Sequence, residues 1–140
     1  MRPSTGKPVV QEDPMGCGIA CVAFICGVSY ATAKRRYFRG LGDADRRGHL
    51  CREMAETLAR AGRNYSYAYL KRRMRYPLGT IVFIRRSKRY PAGHYLARSA
   101  QGWMDPWLNF DSAACAIGKA RPGFRQRLPS RAIYALIPGP

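Results

Sequence analysis

Gln11-Glu-Asp-Pro-Met-Gly-Cys17-Gly-Ile-Ala-Cys-Val-Ala-Phe-Ile25 decides how the chain is to be read. A glutamine stands six residues before a cysteine, and the cysteine sits between two glycines where a turn becomes an apolar helix. A helix N-terminus carries partial positive charge and unpaired backbone N–H groups. Both favour the thiolate, which is the reactive form of a cysteine. The N–H of Cys17 can point at the oxyanion formed when a carbonyl is attacked, and the Gln11 amide can supply a second donor. Gly16 and Gly18 lack the Cβ atoms that would block a substrate backbone, which makes them candidate substrate-binding positions. Cys21 and Cys26 follow on the same helix and are read as core, the commonest setting for cysteine.

Outward from this stretch, residues 1–10 read as a loose lead-in containing Pro3, Gly6 and Pro8, with Val9 and Val10 starting an extended segment that positions Gln11. The first helix is expected over about Cys17 to Cys26, stopping near Gly27 and buried on most sides. Ser29 is a natural N-cap for a second helix through Ala31-Thr-Ala-Lys-Arg-Arg-Tyr-Phe. A third helix is expected from about Gly48 to Ala61, where Leu50, Met54 and Leu58 recur every four residues and Gly62 is a terminator.

Beyond Gly62 the pattern is one of strands. Tyr65, Tyr67 and Tyr69 alternate as in a half-buried strand. Thr80-Ile-Val-Phe-Ile84 is an apolar run suited to a central strand. Arg85 to Pro91 is a basic loop. His94 to Arg98 and Trp103 to Asp105 flank Ser99-Ala-Gln-Gly102 as a hairpin. Residues 108–130 are ambiguous, broken by Gly118, Pro122, Gly123 and Pro129, and Ala132 to Ile137 is a final strand. Helices first and strands after predict an α+β fold, with the N-terminal helices packed on an antiparallel sheet.

The chain has 140 residues, enough for one domain with a real core, and is read as a single free-standing domain over residues 1–140. Hydrophobic residues make up 46%, which argues against disorder. Its 25 Lys and Arg against 8 Asp and Glu give a net charge of +17. Such a balance predicts attraction to polyanions. The basic residues gather at Lys34, Arg35, Arg36 and Arg39, at Lys71, Arg72, Arg73 and Arg75, and at Arg85, Arg86, Lys88 and Arg89, with Tyr37, Phe38, Tyr76 and Tyr90 nearby. Basic runs interleaved with aromatics suit phosphate contacts and base stacking, and an acidic peptide or an anionic membrane would use the same residues. The five cysteines, 17, 21, 26, 51 and 115, do not form a disulfide framework or Cys-x-x-Cys zinc pairs. They point to a reducing, cytoplasmic setting. The uncharged stretch 14–33 follows Glu12 and Asp13, where a signal peptide wants positive charge, so it is read as a buried helix with no transmembrane segment.

A thiol nucleophile needs a base, and the base needs orienting. Of the two histidines, His49 at the start of the third helix reads as a surface or capping residue. His94 opens a strand after Gly93, where backbone can approach closely. Asp105 lies across the hairpin. A turn of two or four residues puts His94 and Asp105 on one face, and a turn of three puts them on opposite faces.

The motifs Gln11-Glu-Asp-Pro-Met-Gly-Cys17-Gly-Ile-Ala, the helix 50–61, Gly93-His94-Tyr-Leu-Ala and Met104-Asp105-Pro106-Trp resemble, in this order, those of the papain-fold cysteine peptidases that process bacteriocin leaders. These are the double-glycine peptidases found at the N-terminus of some ABC transporters. The resemblance implies Cys17 as nucleophile, Gln11 as oxyanion donor, His94 as general base and acid, and Asp105 as the residue that orients it. It implies a cysteine-dependent peptide or amide hydrolase acting through an acyl-enzyme, with a peptide or protein substrate and neither metal nor organic cofactor. The rival reading is a non-catalytic, basic nucleic-acid-binding module on a degenerate peptidase scaffold.

Overall fold

The structure, a computed structural model, describes residues 6–110 and 116–140. Cys115, the first five residues of the lead-in and residues 111–115 of the ambiguous stretch therefore lie outside the described residues.

Helix α1 is Cys17–Cys26. Eight of its ten residues, Gly18 to Ile25, are buried, which explains why its apolar residues run all the way round. It stops at Gly27, whose φ of 68° is left-handed and favours glycine. Helix α2 is Tyr30–Arg36, and Ser29 caps it by accepting from Thr32 N–H. Helix α3 is Cys51–Arg60. It starts later than the spacing predicts, because Leu50 is extended and its N–H donates to the Glu53 carboxylate at 2.9 Å. Met54, Thr57 and Leu58 form its buried face. Burying one such Met or Leu contributes about 1.5–3 kcal/mol.

Six strands follow: β1 Tyr65–Tyr69, β2 Ile81–Ile84, β3 His94–Ser99, β4 Gly102–Asp105, β5 Gly123–Arg125 and β6 Ala132–Pro138. They form one sheet in the order β1-β6-β2-β3-β4-β5, and every pairing is antiparallel. This is the α+β arrangement expected. The apolar run 81–84 is central, between β6 and β3. The residues of 108–130 that are described yield a short 3-10 turn, Ile117–Lys119, and β5.

Period-two alternation sorts the sheet into two faces. Ile81, Tyr95, Ala97, Met104 and Leu136 join the helices in the main core. Val82, Ile84, Leu96, Trp103 and Ala135 face the other way and pack with Leu70, Tyr90, Tyr76 and Leu128. The β1 tyrosines depart from expectation: only Tyr65 is buried, while Tyr67 and Tyr69 are exposed on an edge strand. Alternation gives a half-buried strand only where another layer covers it.

Among the described residues no single helix is long and apolar enough to cross a membrane. Helices α1 and α2 reach that length and composition only as a pair bent by 100°, and the apolar residues of α1 are core.

Candidate active site

Helix α1 approaches α3 and β3 closely because Gly18 has no side chain. A Cβ there would lie 2.6 Å from Met54 Sδ and 3.5 Å from the Tyr95 ring. A Cβ on Gly16 would lie 2.0 Å from Tyr30 Oη. The space left by both missing Cβ atoms is thus taken by the protein's own side chains. Gly16 and Gly18 set how the helix is seated, and of the three candidate substrate-binding glycines it is Gly93 that lines the cleft described below. The loop before α1 is tied to α2. Tyr30 Oη donates to Asp13 Oδ2 at 2.6 Å, and Lys34 Nζ donates to the same oxygen at 2.9 Å. Burial pushes the Asp13 carboxyl up, but these two donors outweigh it and hold it below its ordinary value.

His94 begins β3 immediately after Gly93, which has φ +77°. The turn between β3 and β4 is two residues, Ala100 and Gln101, closed by the Ser99–Gly102 pair. His94 and Asp105 therefore share a face, on the diagonal. His94 Nε2 meets Asp105 Oδ1 at 2.7 Å, in a buried contact. The Cys17 sulfur lies close enough to the imidazole to act on its charge, and both residues line the same cavity. With Nε2 committed to Asp105, Nδ1 is the nitrogen left for the sulfur. Tyr90 stacks on the His94 ring, with centroids 5.0 Å apart and planes 14° apart. The imidazole is thus fixed by its hydrogen bond to Asp105 and by one ring face.

The electrostatics follow from these contacts. Burial alone pushes the imidazole down. The hydrogen bonds and charges of Asp105 and Cys17 outweigh it, raising His94 to about 9. Burial likewise pushes Asp105 up. His94, the Arg125 guanidinium and the Trp107 N–H together bring it down to about 2. The arrangement favours an imidazolium held by an ionised carboxylate beside the Cys17 sulfur.

Gln11 is buried beside them. Its backbone N–H donates to Pro106 O at 3.2 Å, linking the loop before α1 to the segment after Asp105. Its side-chain Nε2 donates to the carbonyls of Asp13 and Pro14, each at 3.1 Å. Turning the amide over would set Oε1 against two carbonyl oxygens, so this orientation is the one its neighbours allow. To donate to an oxyanion, Gln11 must release one of these carbonyls. Its Oε1 is buried without a partner among the described residues.

Gln11, Cys17 and His94 open onto one cavity of about 620 Å³, a size typical of ligand clefts. Its walls include Met15, Phe83, Trp107 and Phe110, with Arg46, Arg47 and Arg86 among the lining residues. Asp105 lies behind His94, fully buried. His49 also lines the cavity. It is 5% exposed, packs edge-on against Phe38 at 4.8 Å and has neither ring nitrogen partnered among the described residues, so it is not the surface or capping residue expected. Burial pushes its imidazole below the ordinary value.

Two partners of Asp105 escaped the sequence reading. Arg125 Nε donates to Asp105 Oδ2 at 2.7 Å, and the Trp107 N–H donates to Oδ1 at 2.9 Å. The Trp107 contact had a local signal: Pro106 has no N–H, so the next available donor belongs to Trp107. Arg125 had none, since it arrives through the pairing of β4 with β5. Among the described residues no group of three His, Cys, Asp or Glu side chains is placed to hold a metal ion. The four described cysteines are free thiols.

Three helices and a six-stranded antiparallel sheet thus meet where Cys17, His94 and Asp105 come together. No protein-family model matches the sequence, and no curated protein matches it. A solved structure does match: the peptidase domain of ComA from Streptococcus, a bi-functional ABC transporter involved in a quorum-sensing pathway. The two are 20% identical with a TM-score of 0.55, and the match covers 96% of this chain and 98% of that one. The likeness shows that the fold is shared along nearly the whole of both chains.

Proposed function

We propose that this protein is a cysteine-dependent peptide or amide hydrolase, similar in action to leader-processing peptidases. The observation that carries the reading is the buried His94–Asp105 pair, which lies behind a cavity that Cys17, Gln11 and His94 line together. His94 takes the Cys17 proton, giving a thiolate–imidazolium pair whose cation Asp105 stabilises. The thiolate attacks the carbonyl carbon of the substrate. The N–H groups of the first turn of α1, which have no intrahelical acceptor, receive the oxyanion together with a Gln11 amide released from its carbonyl. His94 then protonates the leaving amine as the tetrahedral intermediate collapses to a thioester. A water, deprotonated by His94, hydrolyses the thioester and frees Cys17.

The nucleic-acid reading draws less support. Of the aromatics beside the basic runs, Phe38 is 4% exposed and Tyr90 is 3% exposed. Both are interior side chains, unavailable for base stacking, while Tyr37 and Tyr76 are half-buried.

The test is to incubate a random-sequence peptide library with the protein and with Cys17→Ala, and to read new termini by mass spectrometry. Termini produced by the parent protein alone support the hydrolase. Identical patterns from the two proteins, or none from either, overturn it.

A further inference from the structure

A second and larger cavity, of about 830 Å³, lies on the sheet face turned away from the helices. It opens between the loop that follows β1 and the loop that precedes β6. Arg72, Arg73, Arg127 and Arg131 line it, and no carboxylate does. All four are exposed, and none has an acidic partner among the described residues. After Glu56 the chain has only two acidic residues, Asp105 and Asp111, and Asp105 is buried and engaged at the active site. Four guanidinia with no acidic partner among the described residues form an anion basin, since the planar fork of arginine suits phosphate oxygens.

Two further features indicate which anion. Met74 lines the basin and is 38% exposed, and Leu78, four residues on in the same loop, is 39% exposed. Lys71, Arg72, Arg73 and Arg75 stand directly before or beside them. Aliphatic side chains held out in water within a basic ring match the boundary between lipid headgroups and acyl chains. They do not match a nucleic-acid groove, which is built on aromatic faces. The one indole at the basin, Trp103, is 6% exposed. Tyr76 meets it edge-on at 5.4 Å, and the Arg98 guanidinium lies 5.6 Å from its ring centroid. The basin's other aromatic, Tyr76, is half-buried against that indole.

We propose that this face docks on an anionic bilayer. The basin takes lipid phosphates, and Met74 and Leu78 enter the acyl boundary. The surface is independent of the Cys17 chemistry.

The test is co-sedimentation of the full chain with sucrose-loaded vesicles, of phosphatidylcholine alone or mixed with phosphatidylglycerol. Binding is expected only to the mixed vesicles, falling with salt. The variant Arg72→Gln, Arg73→Gln, Arg127→Gln, Arg131→Gln should lose about fivefold in partition per guanidinium, and so more than 100-fold in total. Met74→Ser with Leu78→Ser should weaken binding about tenfold at unchanged charge. Arg35→Gln, Arg36→Gln, Arg39→Gln, Arg52→Gln removes the same charge from the exposed surfaces of α2, α3 and the α2–α3 connection, and should cost far less. Equal losses in the two four-arginine variants would reduce the effect to diffuse charge and overturn the proposal. So would indifference to Met74 and Leu78, binding to phosphatidylcholine alone, or displacement from vesicles by a single-stranded oligonucleotide that itself binds independently of those two residues.

Discussion

Arg125 and His94 grip the two oxygens of one carboxylate. His94 Nε2 meets Asp105 Oδ1 and Arg125 Nε donates to Oδ2, both at 2.7 Å. Asp105 is fully buried, so each contact replaces hydration that the carboxylate has lost. The Arg125 guanidinium also reaches Tyr90 Oη at 3.3 Å and Leu108 O at 3.2 Å, and Tyr90 stacks on His94. One arginine therefore braces both the carboxylate and the ring beside the imidazole.

Replacing Arg125 with Gln should accordingly damage catalysis without touching the substrate cleft, whose lining does not include it. The expected outcome is a loss of about tenfold in kcat, or about 1.4 kcal/mol, with KM little changed. Stability should fall by roughly 3 kcal/mol, because a buried carboxylate loses one of its donors. Asp105 also loses a group that holds it down, so the acid limb of the stability profile should move to higher pH. Arg125→Lys should restore part of this. Steady-state kinetics and thermal unfolding across the acid range check it.

The pH dependence has a definite sign on each side. His94 is raised from its ordinary value of 6.5 to about 9. Its contribution to stability is complete below about 6.5 and is lost as pH rises through about 9. Asp105 is lowered from 3.8 to about 2. Its contribution is complete above about 3.8 and fades as pH falls toward 2. Thermal unfolding should therefore show a plateau between these limits and a decline on either side. Peptide hydrolysis should fall as pH rises past about 9, where His94 can no longer protonate the leaving amine. A His94→Ala protein should lose the part of the alkaline decline that falls between about 6.5 and 9.

Two glycine substitutions separate backbone strain from steric conflict. Gly27→Ala meets nothing within 4 Å, so only its left-handed φ of 68° is penalised, at about 1–2 kcal/mol. Gly93→Ala has a similar φ of 77°, but its Cβ would lie 2.2 Å from the Phe83 ring. It should cost at least about 2 kcal/mol more, and it should reduce turnover because His94 is the next residue. Unfolding free energies and kcat/KM for the pair test this. Equal stability losses would show that Phe83 moves aside freely.

The parts of the fold legible from the residues are those fixed by local chemistry. An apolar run of this length set between glycines reads as a buried helix, and α1 spans Cys17–Cys26. Ser29 announces α2 through its own side chain. The hairpin that brings His94 near Asp105 is also local, and only its turn length was open. Contacts made by distant segments were not legible. The brace on Asp105 depends on β5, whose three residues pair with β4 across a stretch of weak pattern. His49 carries no local sign of burial, which comes from Phe38 and from Tyr95, whose Oη donates to His49 O at 2.7 Å. Tyr67 and Tyr69 alternate correctly but lie on an edge strand. The demand on Gly16 and Gly18 comes from Tyr30 and Met54, side chains that a linear reading does not set beside them.

The most direct test is the alkylation of individual thiols by iodoacetamide at neutral pH, read by mass spectrometry. Cys17, Cys26 and Cys51 are all partly exposed, so access alone should label them at comparable rates. Burial pushes the Cys26 and Cys51 thiols up, and neither is paired with an imidazole. Cys17 is expected to react at least tenfold faster than either, and His94→Ala should remove most of the difference. Labelling of Cys17 no faster than Cys26 and Cys51, or labelling indifferent to His94, would contradict that expectation.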